Sequence, residues 1–422
     1  MDLYRIMGEC FKYSNLKTPK SYIRDSGFFL CPNDYPSNFS KRKDFTQSMW
    51  RQYGECQHAY FLKYVKRMVP KRSYMPLEFG TFVHELISYY LVAEHPLYSH
   101  LDPAAYRARR VGEWKEEMWR RIDEGHTSFT EQDVVDHGLL AFELCSRWAK
   151  RDRDYQLLAI SPKFRVHLKN PITGRRSPIY DYSGEYDAIV IDKHGKPWVW
   201  ELKTTAMRNP EDFESLKEFD PQAWGYMYSA ERILGQRTGI IYDVLRKKTP
   251  KSPRLIKCKK KACKEHPQPD CEACGGYGYI GISKSASDTT LDILQMWLRE
   301  LWDRSPVARA EIESGAYEEM VEKARKNSRS FHYEIARIST SEFTDAFDRD
   351  IWDVSNEVGQ KTAAYKRNKA KKFARMRGAC RTITGRCSYQ SVCPVTYSDA
   401  YEEYEFVPGD GPVHHSDNKV FK

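Results

Sequence analysis

An α/β core wrapped by helices is the fold class that the sequence predicts, and three observations predict it. Apolar residues recur at helical spacing through most of the first 150 positions, the period changes to two after Leu157, and a helical stretch at Asp220–Leu234 leads into a strand at Gly239–Arg246. Of 422 residues, 41% are apolar and 30% charged, with 10 Trp and 28 Tyr, which is too aromatic for a disordered chain and too polar for a membrane protein. That length suits two or three domains. The first twenty residues hold no apolar run of the secretory type, so the expected compartment is a reducing cytoplasm, where 11 cysteines are read as ligands rather than disulfides. Lys and Arg total 68 against 58 Asp and Glu, and the net +10 suits a polyanionic partner.

Residues 1–45 carry turn residues (Asn33, Asp34, Pro36, Ser37) without a sustained period and are read as a loosely structured lead-in. The region 46–155 is mainly helical. Ser48 is the expected cap of a helix through Trp50, Tyr53, Cys56, Tyr60 and Tyr64; a second helix follows Gly80; two amphipathic helices cover Arg107–Ile122 and Glu131–Ala149. The α/β core is expected over 156–248, with strands at Phe164–Leu168, Ile179–Ile191 (one long strand bulged at Gly184) and Trp198–Thr204 before the helix and strand named above. Residues 249–282 interrupt it with a basic stretch rich in Cys, Gly and Pro. Over 283–375, helical pattern returns at Leu291 and Phe343–Val358 around a strand at Phe331–Arg337, and Lys361–Arg377 is strongly basic. A second cysteine group occupies 376–400, and 401–422 is expected to be a flexible tail.

The most informative segment is Gly184–Thr204. If residues 192–196 form a hairpin loop, Ile191 pairs with Pro197, and the same register places Asp187 opposite Glu201. Because strand side chains alternate, Glu201 and Lys203 share one face, while Leu202 points with Trp198 and Trp200 to the other. Two neighbouring carboxylates repel each other, and their hard oxygens suit Mg²⁺ or Mn²⁺. The ammonium of Lys203 beside them fits metal-assisted hydrolysis of a phosphate ester. An exposed hairpin with an ordinary charged face accounts for the same residues.

Cys258, Cys263, Cys271 and Cys274 place four thiolates within seventeen residues, and glycines follow the last pair, as a small zinc site with two knuckles requires. His266 is a substitute ligand, and a redox pair at Cys271 and Cys274 is the alternative. Lys257, Lys259, Lys260, Lys261 and Lys264 surround this group, either to touch phosphates or as a solvated loop. Cys380, Cys387 and Cys393 form a late triplet, one thiolate short of a four-coordinate site.

Gly184-x-x-Asp187 followed by Glu201-Leu-Lys203-Thr204 resembles the core of the PD-(D/E)XK nucleases, and the surrounding sequence resembles their RecB-like branch, which includes phage exonucleases and CRISPR-adaptation nucleases. Three further stretches carry the likeness: Gly80-Thr-Phe-Val-His84-Glu, Gln222-Ala-Trp-Gly-Tyr226, and the Cys56-led helix at Tyr53–Tyr64. The late cysteine triplet is the fifth part. One departure is that Tyr186 stands where the family often has Pro. The resemblance implies a restriction-endonuclease-like core with a mixed central sheet flanked by helices. It implies Asp187, Glu201 and Lys203 as catalytic residues, His84 with Asp187 and Glu201 as metal ligands, and Gln222 and Tyr226 as contacts to the active site and substrate. It also implies that Cys56 joins Cys380, Cys387 and Cys393 around a [4Fe–4S] cluster that clamps the shell; by ligand chemistry alone, zinc or unligated thiols are the alternatives.

The expected function is a metal-dependent DNA nuclease, of RecB-like exonuclease type and from a phage or similar replicon, acting on single-stranded DNA or duplex ends in the (host) cytoplasm. A helicase or recombination protein is the protein partner such an enzyme would have, and no membrane is involved. Two rivals stay open: a catalytically silent DNA-binding subunit of a recombination or replication complex, and a zinc-module regulator of transcription.

Overall fold

The computed structural model of the chain describes residues 28–30, 42–70, 75–94, 100–127, 129–151, 153–218, 220–260, 263, 268–284, 288–368, 373–376, 381–382, 385–389, 392–393 and 404–406. Within the expected lead-in, β1 (Phe28–Leu30) and β2 (Lys43–Thr46) are strands, so the described part of that region is not loose. Thr46, not Ser48, caps α1 (Gln47–Glu55): its hydroxyl accepts the Met49 N–H at 3.3 Å. The helix expected to run on to Tyr64 breaks at Cys56, whose backbone is extended (φ −159°, ψ 109°). It resumes as a short α2 (Gln57–Tyr60) and a π-helical turn at Phe61–Val65, followed by β3 (Met68–Pro70).

Helix α3 (Met75–Ala93) begins before Gly80 rather than after it. Gly80 is interior to the helix, and an added Cβ there would stand 3.8 Å from the Thr204 hydroxyl. The next helices are α4 (Pro103–Asp123, capped by Asp102), which starts four residues ahead of the expected Arg107, and α5 (Glu131–Ala149, with a capping box between Thr130 and Asp133), which has the expected span. Then come β4 (Tyr155–Ile160), β5 (Lys163–Lys169), β6 (Arg176–Glu185), β7 (Ala188–Asp192) and β8 (Pro197–Thr205). The single strand expected over Ile179–Ile191 is thus two, interrupted at Tyr186 and Asp187, and the halves belong to different sheets.

After β8 the chain forms α6 (Pro210–Lys217), α7 (Pro221–Leu234, capped by Asp220) and β9 (Gly239–Arg246). A two-stranded ribbon, β10 (Leu255–Lys257) and β11 (Tyr279–Ile282), precedes α8 (Leu291–Arg304), α9 (Pro306–Glu313) and α10 (Glu318–Phe331). Last come β12 (His332–Ile338) and α11 (Ser341–Arg367), which runs nine residues past the expected Val358 and takes in the first seven residues of the basic stretch. Tyr404–Phe406, in the expected tail, pairs antiparallel with β3.

The central sheet has the order β12-β9-β8-β7-β4, in which only the β8–β9 pair is parallel. The β7–β8 hairpin has the expected register, with Ala188 opposite Trp200 and Ile191 opposite Pro197. Its turn is organised by Asp192, whose carboxylate accepts the N–H groups of His194 and Lys196 and the Trp198 indole N–H. A second sheet, β1-β5-β6-β2, stands beside it. One face of the central sheet contributes Ile189, Val199, Ile240, Tyr242 and Val244 to a core with α7 and α11; the other contributes Val190, Trp200, Leu202 and Leu245 to a core with α3, α4 and α5. Both faces are buried, so the strands read as near-continuous apolar runs.

Two helix-interior glycines test this packing with opposite signs. A Cβ on Gly225 would collide with the hydroxyl of the fully buried Tyr182 and stand 3.1 Å from Phe347, whereas one on Gly112 would meet nothing within 4 Å. Gly225→Ala should therefore destabilise the protein by about 1–3 kcal/mol, and Gly112→Ala should stabilise it by about 0.5–1 kcal/mol. Denaturant unfolding of the two variants checks both signs.

Candidate active site

The site forms where β7 begins and the edge of β8 loses its partner. Continuing the hairpin register by one residue brings Asp187 abreast of Glu201, and the Asp187 carboxylate takes the Leu202 N–H at 2.9 Å in place of the missing strand. The C=O of Leu202 points to the same side as its N–H, so it too faces this gap. Sequence patterns give no signal for these backbone groups. From the other layer, His84 on α3 places Nδ1 at 3.2 Å from the same Asp187 oxygen.

Glu201 is only 2% exposed. Its Oε1 receives the Lys203 ammonium at 2.5 Å and the Gln222 side-chain N–H at 3.0 Å. Gln222 also accepts from Lys203 at 3.1 Å and donates to the Tyr226 hydroxyl at 3.0 Å, and that hydroxyl donates to the Glu185 carbonyl at 2.8 Å. Glu201, Lys203, Gln222 and Tyr226 are thus joined in one hydrogen-bond network, and the His84–Asp187 pair stands beside it, so all six predicted residues meet at this site. Sequence reasoning overlooked the shell that orients Gln222. Asp220 accepts the Gln222 backbone N–H at 3.0 Å through one oxygen, and Lys217 (2.6 Å) and the Tyr242 hydroxyl (3.0 Å) through the other. The Asp220-Pro221 pair was legible as a helix start, but its link to Tyr242 was not.

The electrostatics follow from burial. Loss of solvent, and then the charge of Asp187, push the Glu201 carboxyl up to about 7 despite Lys203. Burial would also raise Asp187, but the neighbouring imidazole, Lys203 and the Leu202 N–H outweigh it and hold that carboxyl below its ordinary value. For His84 and Lys203 burial opposes the charged form, and the two carboxylates outweigh it, so both are raised. The second Glu201 oxygen, Oε2, is buried and has no hydrogen-bond partner. A buried carboxylate oxygen with nothing to accept from, beside a second carboxylate and an imidazole, is a donor set that fits a divalent cation.

The four cysteines of the insert form a separate centre. Cys258, Cys263, Cys271 and Cys274 are all buried, their sulfurs lie within 4.8 Å of one another, and the closest pairs are 3.8 Å apart. Tetrahedral coordination with metal–sulfur bonds of about 2.3 Å gives sulfur–sulfur edges of about 3.8 Å. Backbone N–H groups, first that of Cys274, pull the Cys271 thiol down to about 6, whereas at Cys263 the Gln268 N–H is outweighed by burial and the neighbouring thiols, which push the thiol up to about 11. Gly275 turns the second knuckle at φ +55°, and a Cβ there would stand 2.5 Å from the Arg304 carbonyl. This docking of the knuckle on the α8–α9 junction is reinforced by Ser305, whose hydroxyl donates to the Ala273 carbonyl at 3.2 Å. His266 lies outside the described residues.

Of the remaining cysteines, Cys56 and Cys387 lie in one apolar cluster with Met68, Tyr389 and Val392. The N–H of Cys393 donates to the Tyr389 carbonyl at 2.9 Å, and the Tyr389 hydroxyl donates to the Met68 carbonyl at 2.8 Å. The late segment is thereby fastened to the corner where Cys56 interrupts its helix. Cys380 lies outside the described residues.

The sequence profile of the PD-(D/E)XK nuclease superfamily matches residues 44–394. Curated protein sequences give no match. Among solved structures, one titled "Crystal structure of SSO0001" is 16% identical and aligns over 40% of this chain and 73% of its own, with a TM-score of 0.16, too slight a likeness to carry an argument. Among the described residues, no helix is long and apolar enough to cross a membrane.

The sulfur geometry predicts that purified protein carries one equivalent of tightly held metal at the insert. Cys271→Ser with Cys274→Ser should release it and unfold the β10–β11 ribbon, because thiolate sites of this size order only around their metal. Elemental analysis together with hydrogen exchange over 255–282 checks this.

Proposed function

The chain belongs to the PD-(D/E)XK nuclease superfamily, and from that membership we propose that it is a divalent-metal-dependent deoxyribonuclease of the RecB-like branch, with exonuclease action in phage replication or recombination. The observation that carries the reading is the unpartnered Glu201 Oε2 beside Asp187 and His84. A Mg²⁺ or Mn²⁺ ion in that position would polarise a phosphate oxygen and acidify a bound water. Asp187, Glu201 and His84 are the side chains that would hold it. Lys203, kept charged by Glu201 and Asp187, is directed by Gln222 so that its ammonium stabilises charge developing on the attacked phosphate. Tyr226 ties Gln222 to the β6 terminus and so keeps the amide from rotating away from Glu201.

The same reading assigns 156–248 to the nuclease core, 46–155 to a helical region carrying Cys56 and His84, 249–282 to a zinc-binding insert, and 376–400 to an Fe–S region. For the insert, four thiolates at tetrahedral spacing favour Zn²⁺. For the late cysteines, a [4Fe–4S] cluster held by Cys56, Cys380, Cys387 and Cys393 would close a covalent clamp around the core. The partners are DNA ends or single strands and, for a recombination enzyme, a helicase or recombination protein.

Asp187→Ala, Glu201→Ala and Lys203→Ala should each lower kcat/KM on end-labelled DNA by on the order of a thousandfold. His84→Ala should weaken Mn²⁺ affinity by about 10- to 100-fold, with activity recovering in excess metal. Normal turnover by the two carboxylate variants would defeat the assignment. Because Glu201 titrates near 7 and only its carboxylate binds a cation, protons compete below that pH. Mn²⁺ affinity, measured by calorimetry, should therefore fall by up to about tenfold per pH unit as pH drops through 7. Anaerobically purified protein should be brown and contain iron and sulfide, and Cys56→Ala should bleach it; a colourless preparation after reconstitution would remove the cluster.

A further inference from the structure

Residues 246–264 carry ten Lys or Arg and no Asp or Glu. Taking those nineteen residues away leaves 58 basic and 58 acidic side chains, so the entire net charge of +10 resides in this one segment. Elsewhere, several buried or half-buried cations are matched: Arg110 with Glu85, Arg121 with Glu78, Arg232 with Asp348. Within the segment the first three residues form a root. Arg246 is buried against the Phe331 ring, the Lys247 N–H donates to the Thr205 carbonyl at 2.6 Å, and Lys248 pairs with Asp288. Beyond the root, Lys251, Arg254, Lys257 and Lys259 are exposed, and none has a carboxylate partner among the described residues.

We propose that this segment is a track for the phosphate backbone of a nucleic-acid strand that extends from the Asp187–Glu201 gap, an inference that rests on the nuclease reading of that gap. Thr205, where the root is fastened, lies two residues beyond Lys203 on β8. The track therefore leaves the sheet at the end of the strand that carries Glu201 and Lys203. From Lys251 to Lys259 it spans at most about 30 Å, with a cation every two or three residues. Like charges at that density repel one another and favour a polyanionic partner. Four thiolates around a divalent cation carry two negative charges, which offset only two of the ten. The ribbon and its metal centre give the charges a fixed scaffold, so a strand that binds them meets a surface ordered in advance.

The test combines Lys251→Ala, Arg254→Ala, Lys257→Ala and Lys259→Ala, all exposed positions outside the thiolate centre, with metal content measured to verify the fold of the insert. Fluorescence anisotropy of short and long labelled DNA, single-stranded and duplex, is followed across salt concentrations without added Mg²⁺ or Mn²⁺. The slope of log affinity against log salt should become shallower by about three, as expected for four lost phosphate contacts. Long strands should lose about tenfold or more in affinity and short ones much less. A companion variant with Arg at the three lysines should keep the original slope. An unchanged slope in the alanine variant on both forms of DNA would overturn the track. Wild-type protein that shows the slope yet cleaves nothing with Mn²⁺ would remove the nuclease reading and leave the track standing.

Discussion

Glu201 is nearly inaccessible to water, stands beside a second carboxylate, and keeps one oxygen without a partner. Burying that charge is unfavourable unless cations and hydrogen-bond donors surround it, and the neighbouring architecture supplies them. Lys203 is two residues along the same strand, Gln222 is delivered by α7, and His84 arrives from α3 to hold the other carboxylate. The central sheet lies between those two helices, so the site can exist only where the sheet is interrupted. The crossing of the chain from β6 to β7 at Tyr186 and Asp187 makes that interruption.

The supporting shell is correspondingly rigid. Asp220 caps α7 and simultaneously receives Lys217 and Tyr242, which fixes the position of Gln222 relative to β9. On the opposite face, α3 is fastened to α4 by two ion pairs that flank His84 in sequence, Glu78 with the fully buried Arg121 and Glu85 with Arg110. The Tyr106 hydroxyl adds a third bond to Glu85 at 2.9 Å. These contacts restrict rotation of α3, and so the direction in which the imidazole is presented. A site assembled from two helices, a strand and the two-residue β6–β7 crossing is more sharply positioned than one carried on long loops.

The cysteine groups stand beside apolar clusters: the ribbon of the insert packs through Leu255, Tyr279 and Ile282 on the core of α8, α9 and α10, and the late segment on a small cluster around Cys56. The insert stands on the long connection between β9 and β12, and its four sulfurs form their own small cluster, docked through Ala273 and Gly275 on the α8–α9 junction. The late segment touches the rest of the protein around Cys56, where Tyr389 reaches back to β3. At the insert, a metal held by the four thiolates would add a cross-link to that packing.

Local chemistry was enough to read several features from the sequence. The five-residue turn set the β7–β8 register, a four-residue step put Gln222 and Tyr226 on one helix face, and the spacing of Cys258, Cys263, Cys271 and Cys274 brought four sulfurs together. The strand β9 and the bodies of α4 and α5 were legible because their apolar periodicity is local, whereas the Asp102 start of α4 was not read. Other features had no such local signal. The division of Ile179–Ile191 at Tyr186 depends on which partners its halves find, β5 and β2 for one and β4 and β8 for the other. The start of α3 ahead of Gly80 and the break at Cys56 likewise reflect packing against distant segments. The meeting of His84 with Asp187, the Leu202 N–H held by a side chain, and the missing partner of Glu201 Oε2 were decided by tertiary structure alone. Side-chain periodicity reports which face of an element is buried, while what stands opposite that face is set by contacts between residues far apart in the chain.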